Sequence, residues 1–193
     1  MTWKEYINQT VTISFNKPDD NWIKSNWNYN PSIEIYYKET DRMVFYIYFT
    51  NYIPEINKLA LDCAVFSLML REDVLLVHGM LLNNGDVLVG EPYAGKTTLS
   101  RRLNLGDEKL KALCDDQVLI DLKNNLAYPV PYYYYDPISL FLDHKSVQFS
   151  PIPLNRVLIL KKGTEDSIEE CSTEEYMKTL YNCSIIWLHQ PFA

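Results

Sequence analysis

The sequence has no long apolar run, no concentration of basic charge, no paired cysteine motif and no internal repeat, and each absence removes a class of protein. No stretch reaches the ~18 apolar residues that a membrane span needs, and the opening MTWKEYINQT lacks the apolar core of a secretory signal. The expectation is a cytoplasmic protein with no membrane partner. Eighteen Lys and Arg stand against 25 Asp and Glu, a net charge of −7, without a basic run that could follow a phosphate backbone. Nucleic acid is therefore not an expected partner; the acidity serves solubility or complements a basic peptide. Cys63, Cys114, Cys171 and Cys183 show no C-x-x-C spacing and lie mostly among apolar residues, which predicts reduced, buried thiols rather than disulfides or metal ligands.

What the chain does have is enough material for one domain with a real core: 193 residues, 47% of them hydrophobic and 22% charged. Its fifteen tyrosines favour strands over helices. Neither a low-complexity linker nor a second domain boundary is visible.

The most informative stretch is 74–118, VLLVHGMLLNNGDVLVGEPYAGKTTLSRRLNLGDEKLKALCDDQV, in which Gly90, Gly95, Lys96 and Thr97 fill every fixed position of G-x-x-x-x-G-K-[ST]. A glycine-containing loop between strand and helix can turn its N–H groups around a phosphate, and the helix N-terminus adds partial positive charge. In that pattern residues 90–98 (Gly90, Glu91, Pro92, Tyr93, Ala94, Gly95, Lys96, Thr97 and Thr98) bind the nucleotide phosphates. Lys96 reaches the β- and γ-phosphates, and the Thr97 hydroxyl ligates Mg²⁺. The flanks agree: 86–89 is apolar as a buried strand is, and 96–104 has no breaker and sets Leu99 and Leu103 one turn apart.

Before this stretch, residues 1–56 read as a β-rich layer of the same domain, with alternation at 10–15, 32–37 and 43–49, the last two joined by the turn KETDR. Trp22 and Trp27, in the Asn- and Asp-rich loop between the first two, are expected to pack on that sheet. Residues 57–71 form the clearest helix, apolar on most of its circumference, with Asn57 as N-cap, Arg71 in the last turn, and Phe66 and Met69 as core residues.

Residues 74–78 then form a strand, and Asn84-Gly85 predicts a type I′ hairpin into the strand ending at Val89. The strand feeding the phosphate loop should thus pair antiparallel with its predecessor, unlike the parallel βαβ arrangement usual for such loops. Past the loop helix, 111–114 is a short strand closed by Asp115-Asp116, and 117–122 with 126–130 form a hairpin. Pro129, Pro131 and Pro137 bracket the tyrosines at 132–135 as an extended loop, either a stacking platform or an aromatic cover for the sheet. Residues 154–161 read as a buried strand, Ser172 to Glu175 as a capping box opening a helix to about Leu180, and 184–193 as a strand or tucked-in tail.

Val77-His78-Gly79 before a hairpin, the phosphate loop, and an Asp-Asp pair closing the next strand together resemble the C-terminal catalytic domain of HPr kinase/phosphorylase over about residues 74–122. That family shares its fold with phosphoenolpyruvate carboxykinase. The resemblance implies a mixed-sheet α/β (α+β) P-loop fold, with 1–56 as an added β-rich layer and 57–193 as the kinase-like core. It also implies ATP- and Mg²⁺-dependent phosphorylation of a serine hydroxyl on a protein or peptide. Carried over by position, Lys96 holds the phosphates, Asp115 accepts the hydroxyl proton, Asp116 joins Thr97 in the metal shell, and His78 sits beside the reacting phosphate.

The family's later Glu-x-x-Gly-x-Gly segment and its arginine-bearing loop are missing. Asp136 and Asp143 are then the remaining candidates for a third metal carboxylate, and the reverse, phosphorylase reaction is not expected. Residues 1–56 do not resemble the family's N-terminal domain, which points to a shorter relative with a different acceptor, such as a ribosomally made precursor peptide. A homo-oligomer is compatible with the sequence. The competing readings are a nucleotide-binding regulatory module or slow NTPase switch, and a kinase of a small molecule such as free serine.

Overall fold

The computed structural model describes residues 3–27, 31–51, 56–70, 73–106, 109–130, 150–163 and 167–184. By their internal contacts these fall into two compact units, one holding everything described up to Leu70 and the other everything from Asp73 to Ser184. The helix at 56–69 thus groups with the N-terminal strands, although the sequence assigns 57 onward to the second part. The class is mixed α and β, with four helices and both parallel and antiparallel strand pairs among the described residues.

The first unit opens with a helix that the β-rich reading lacks, α1 (Trp3–Thr10), which buries Trp3, Tyr6 and Thr10 along one face. Thr10, expected to start a strand, ends this helix with its hydroxyl donating to the Tyr6 carbonyl at 2.8 Å. Strands β1 (Val11–Ser14), β2 (Ile23–Lys24), β3 (Ile33–Glu39) and β4 (Met43–Phe49) then form a sheet of order β1-β4-β3-β2. β3 and β4 are the predicted hairpin, in register from Ile33 opposite Phe49 to Glu39 opposite Met43. Trp22 is half-buried with its ring 5.4 Å from that of Tyr46, the packing role expected for it. α2 (Ile56–Met69) buries Phe66 and Met69 and packs on α1, β1 and β4. It already includes Ile56, so Asn57 is internal rather than the cap; Arg71 lies outside the described residues.

The second unit is built on β5 (Val74–Leu82), which reaches further than the predicted 74–78 because each part of it has strand neighbours. Its sheet runs β10-β9-β8-β5-β6-β11, with β7 also on β5. β6 (Asp86–Val89) pairs antiparallel with β5 as expected, Gly79 opposite Val89. The turn between them is not type I′, which needs positive φ at two successive residues. Here only Gly85 is left-handed (φ 87°), at the end of a loop formed by residues 83–85. Gly85 is fixed there by tertiary packing, since a Cβ on it would lie 2.2 Å from the Pro153 carbonyl oxygen.

α3 (Lys96–Leu105) follows the loop, then β7 (Ala112–Cys114), β8 (Gln117–Asp121) and β9 (Leu126–Val130), which takes in Pro129. β10 (Ile152–Pro153) precedes β11 (Arg156–Ile159), shorter than the predicted 154–161. β11 lies parallel to β6, Arg156 opposite Asp86 and Ile159 opposite Val89. Its start is pinned by the buried Asp86 carboxylate, which accepts from Arg156 Nε (3.1 Å) and Nη2 (2.6 Å) and from Asn155 Nδ2 (2.8 Å). α4 (Thr173–Cys183) has the predicted cap, Ser172 accepting from the Glu175 N–H at 3.2 Å, and runs past Leu180. The tyrosine run at 132–135, Asp136, Asp143 and the tail from 185 lie outside the described residues.

Cys63, Cys114 and Cys183 are buried free thiols, and Cys171 is a free thiol at the surface. Among the described residues no helix is long and apolar enough to cross a membrane.

Candidate active site

The sheet itself gathers the site. Because β5 and β6 pair with Gly79 opposite Val89, His78 on β5 stands beside the point where β6 releases the chain into the loop at Gly90. On the other edge of β5, β7 and β8 follow one another, Cys114 opposite Leu81 and Gln117 opposite His78. The two residues between them, Asp115 and Asp116, step out of the ladder at that level. The Gly79 N–H secures the step by donating to the Asp116 carbonyl at 3.1 Å. A tight antiparallel hairpin and a break in one ladder thus bring residues 78, 90–98 and 115–116 to one place.

The loop has the backbone its composition demands. Gly95 is left-handed (φ 104°, ψ 10°) at the helix N-cap, where its missing Cβ avoids the usual penalty. Tyr93 is also left-handed (φ 68°) without being glycine, and the residue is 90% exposed. A strained, exposed aromatic at a loop tip is a feature that cores do not need and binding sites tolerate. The loop closes through the Ala94 N–H donating to the Glu91 carbonyl (3.1 Å), and α3 starts with the Leu99 N–H donating to Gly95 (2.9 Å).

Lys96 is 5% exposed and donates to the Gly90 carbonyl at 2.7 Å and the Glu91 carbonyl at 3.3 Å, so its ammonium is folded across the loop. Burial lowers its pKa, opposed by the fields of Cys183, Asp116 and Asp115. Both aspartates are thus electrostatically coupled to the loop lysine. Burial and then Lys96 lower the His78 pKa from 6.5, with Asp115 opposing, which keeps the imidazole neutral at pH 7. Its Nε2 lies 3.5 Å from Asp116 Oδ1.

The two aspartates differ in access. Asp115 is 6% exposed, and its Oδ2 is 3.2 Å from the Ser100 hydroxyl. That hydroxyl also lies 3.0 Å from the Thr97 carbonyl, and its single proton serves one acceptor at a time. The Asp116 side chain is 28% exposed. A cavity of about 400 Å³ opens over the loop, lined by His78, Tyr93, Gly95, Lys96, Thr97, Thr98 and Lys162.

Thr97 and Thr98 are exposed on the first turn of α3. Among the described residues no group of three or more His, Cys, Asp and Glu could hold a metal by itself. Two hard oxygen donors, the Thr97 hydroxyl and the Asp116 carboxylate, remain. That set fits Mg²⁺, which is commonly bound through one or two protein oxygens together with substrate phosphates and water.

Two residues of this region escaped the sequence reading. Ser100 sits three residues after Thr97, one turn along α3, and that spacing was a usable signal. Lys162 follows β11, and only its pairing with β6 brings it here, through the Leu160 N–H donating to the Val89 carbonyl at 2.7 Å. Compared with known proteins, the chain matches no family model, no curated protein and no solved structure.

Proposed function

We propose that the protein is a P-loop phosphotransferase that uses ATP and Mg²⁺. Within that class, we assign it as a serine kinase similar to the HPr kinase catalytic domain, acting on a hydroxyl of a protein or peptide. The observation that carries this reading is a cavity at a helix N-terminus lined by the loop lysine and a neutral histidine, with two carboxylates close behind it, Asp116 3.5 Å from His78 and Asp115 within the field of Lys96.

In this reading the loop N–H groups and Lys96 hold the β- and γ-phosphates, with Lys96 exchanging its contacts to the loop carbonyls for phosphate oxygens. The Thr97 hydroxyl and Asp116 would hold Mg²⁺, which supplies charge neutralisation on the phosphates when bound. The neutral His78 can donate one N–H toward a γ-phosphate oxygen without adding a charge. As the acceptor oxygen bonds to the γ-phosphorus, the bond to the β-bridging oxygen breaks, ADP leaves, and Asp115 takes the hydroxyl proton. Its Ser100 contact would have to yield for that transfer.

Transfer of labelled γ-phosphate from ATP to an acceptor tests the assignment. Lys96→Ala should lower kcat by about 10²–10³-fold, as loss of one preorganised cation at a reacting centre does. Asp115→Asn should lower it by about 10²–10⁴-fold while ATP still binds. Normal labelling by Asp115→Asn would remove Asp115 as the base. The burial of Asp115 behind Ser100 favours a second reading, a nucleotide-sensing module or slow NTPase, and ATP turnover unaffected by any acceptor peptide or by free serine would select it.

A further inference from the structure

Beyond the phosphate cavity the second unit holds a larger groove, about 480 Å³, walled by the loop residues 91–94, the exit of β11 and the outer face of α4. Tyr93 and Lys162 line both spaces, so the groove continues from the place where phosphates would lie. Resting on the phosphotransferase reading, we infer that this groove takes the nucleoside, base and ribose, and that the acceptor enters from the opposite side of the loop.

Three observations support this occupant. The first is direction. In the strand order β8-β5-β6-β11, Asp115 and Asp116 stand on the β5 side of the loop strand, and the groove lies on the β11 side. In-line transfer sets the incoming hydroxyl at the far end of the triphosphate from its nucleoside. A base placed among the β5-side carboxylates would therefore leave the nucleoside to the β11 side. The second is sheet geometry: β6 and β11 are parallel neighbours, and the crevice beyond the carboxyl ends of such strands is where open α/β sheets bind ligands.

The third is charge. Lys161 is paired with Glu175, and the other charged groups of the groove proper, Lys178 and Glu91, balance in sign. The walls are thus neutral overall up to Lys162, the cation shared with the phosphate cavity. A neutral heterocycle and sugar joined to an anionic tail have the same division of charge. The volume lies within the ~300–1,000 Å³ usual for small-molecule sites. Thr179 and Asn182 supply the polar groups that could read a base edge.

Calorimetry with Mg-ATP and with Mg-tripolyphosphate, which has the same tail and no nucleoside, tests the inference. Thr179→Trp, which fills the groove, should weaken ATP about tenfold or more and leave tripolyphosphate within about twofold of wild type. ATP bound equally well by variant and wild type overturns the groove assignment and leaves the kinase reading standing. Failure of wild type to bind either compound removes both. A second measurement needs no variant: photolysis of the wild-type protein with 8-azido-ATP should label residues of 91–94, 159–162 or 175–182. Adducts confined to other segments overturn the inference.

Discussion

At the scale of single residues, His78 is the most informative group because its protonation reports where it sits. The unfolded chain takes a proton on this imidazole near its ordinary 6.5, whereas burial, and then Lys96, lower the value in the folded protein. Above pH 6.5 neither state is protonated and folding loses nothing. As pH falls through the folded value, the unfolded state binds the proton more readily, and stability declines. The unfolding midpoint should therefore fall as pH is lowered below about 6.5, and His78→Asn should flatten that fall. Glu34, held at about 2 by hydrogen bonding to Lys24 and then Tyr36, contributes only in a more acidic window. A slope unchanged by His78→Asn would mean that the imidazole is as hydrated as in the unfolded chain. The sequence placed this histidine at a strand end, but its neutrality depends on Lys96 and on burial between strands, neither of which follows from residue order.

At the scale of elements, two left-handed glycines separate local strain from tertiary packing. Gly95 has no atom within 4 Å of where a Cβ would stand, so Gly95→Ala should cost only the left-handed penalty, about 1–2 kcal/mol. Gly85 carries a similar φ, but its Cβ would meet the Pro153 carbonyl oxygen at 2.2 Å, so Gly85→Ala must also displace the chain entering β11. Its cost should be on the order of 3 kcal/mol or more. Urea unfolding of the two variants should rank them in that order; equal losses would mean that the turn is free to move away from Pro153. The same elements show what the sequence could convey. The loop, its strand and helix, the α2 stretch and the Ser172 cap were legible because each is a local pattern. The turn at residues 83–85 was placed correctly and typed wrongly, since Asn84-Gly85 favours one turn locally while contact with residues 153–155 selects another. α1 was missed because WKEYINQT is short and largely polar, and its apolar face consists of little more than Trp3 and Tyr6.

At the scale of the whole molecule, each unit buries its own apolar residues, and the proposed nucleotide site lies entirely in the second. Trp3, Ile35, Phe45, Ile47 and Phe66 belong to the first unit, and Val77, Leu81, Val87, Val118 and Ile120 form a cluster within the second. That division was hidden in the sequence because no Gly- or Pro-rich linker marks residues 70–73, and α2 reads equally well as part of either half. It carries a consequence for ligand binding. A ligand at 100 times its Kd stabilises what it binds by about 2.7 kcal/mol, close to a hundredfold in the opening equilibrium. With Mg-ATP at that excess, the slowest-exchanging amides of β5 and β8 should exchange about 100-fold more slowly, and those of β3 and β4 should keep their rates. Equal slowing in both sheets would show that the units open together, as one cooperative structure. The pattern also tests the site. Added protection at residues 78, 90–98 and 115–116 is what a triphosphate on this loop requires, because the residues proposed to bind it come from β5, β6, α3 and the β7–β8 step of the second sheet.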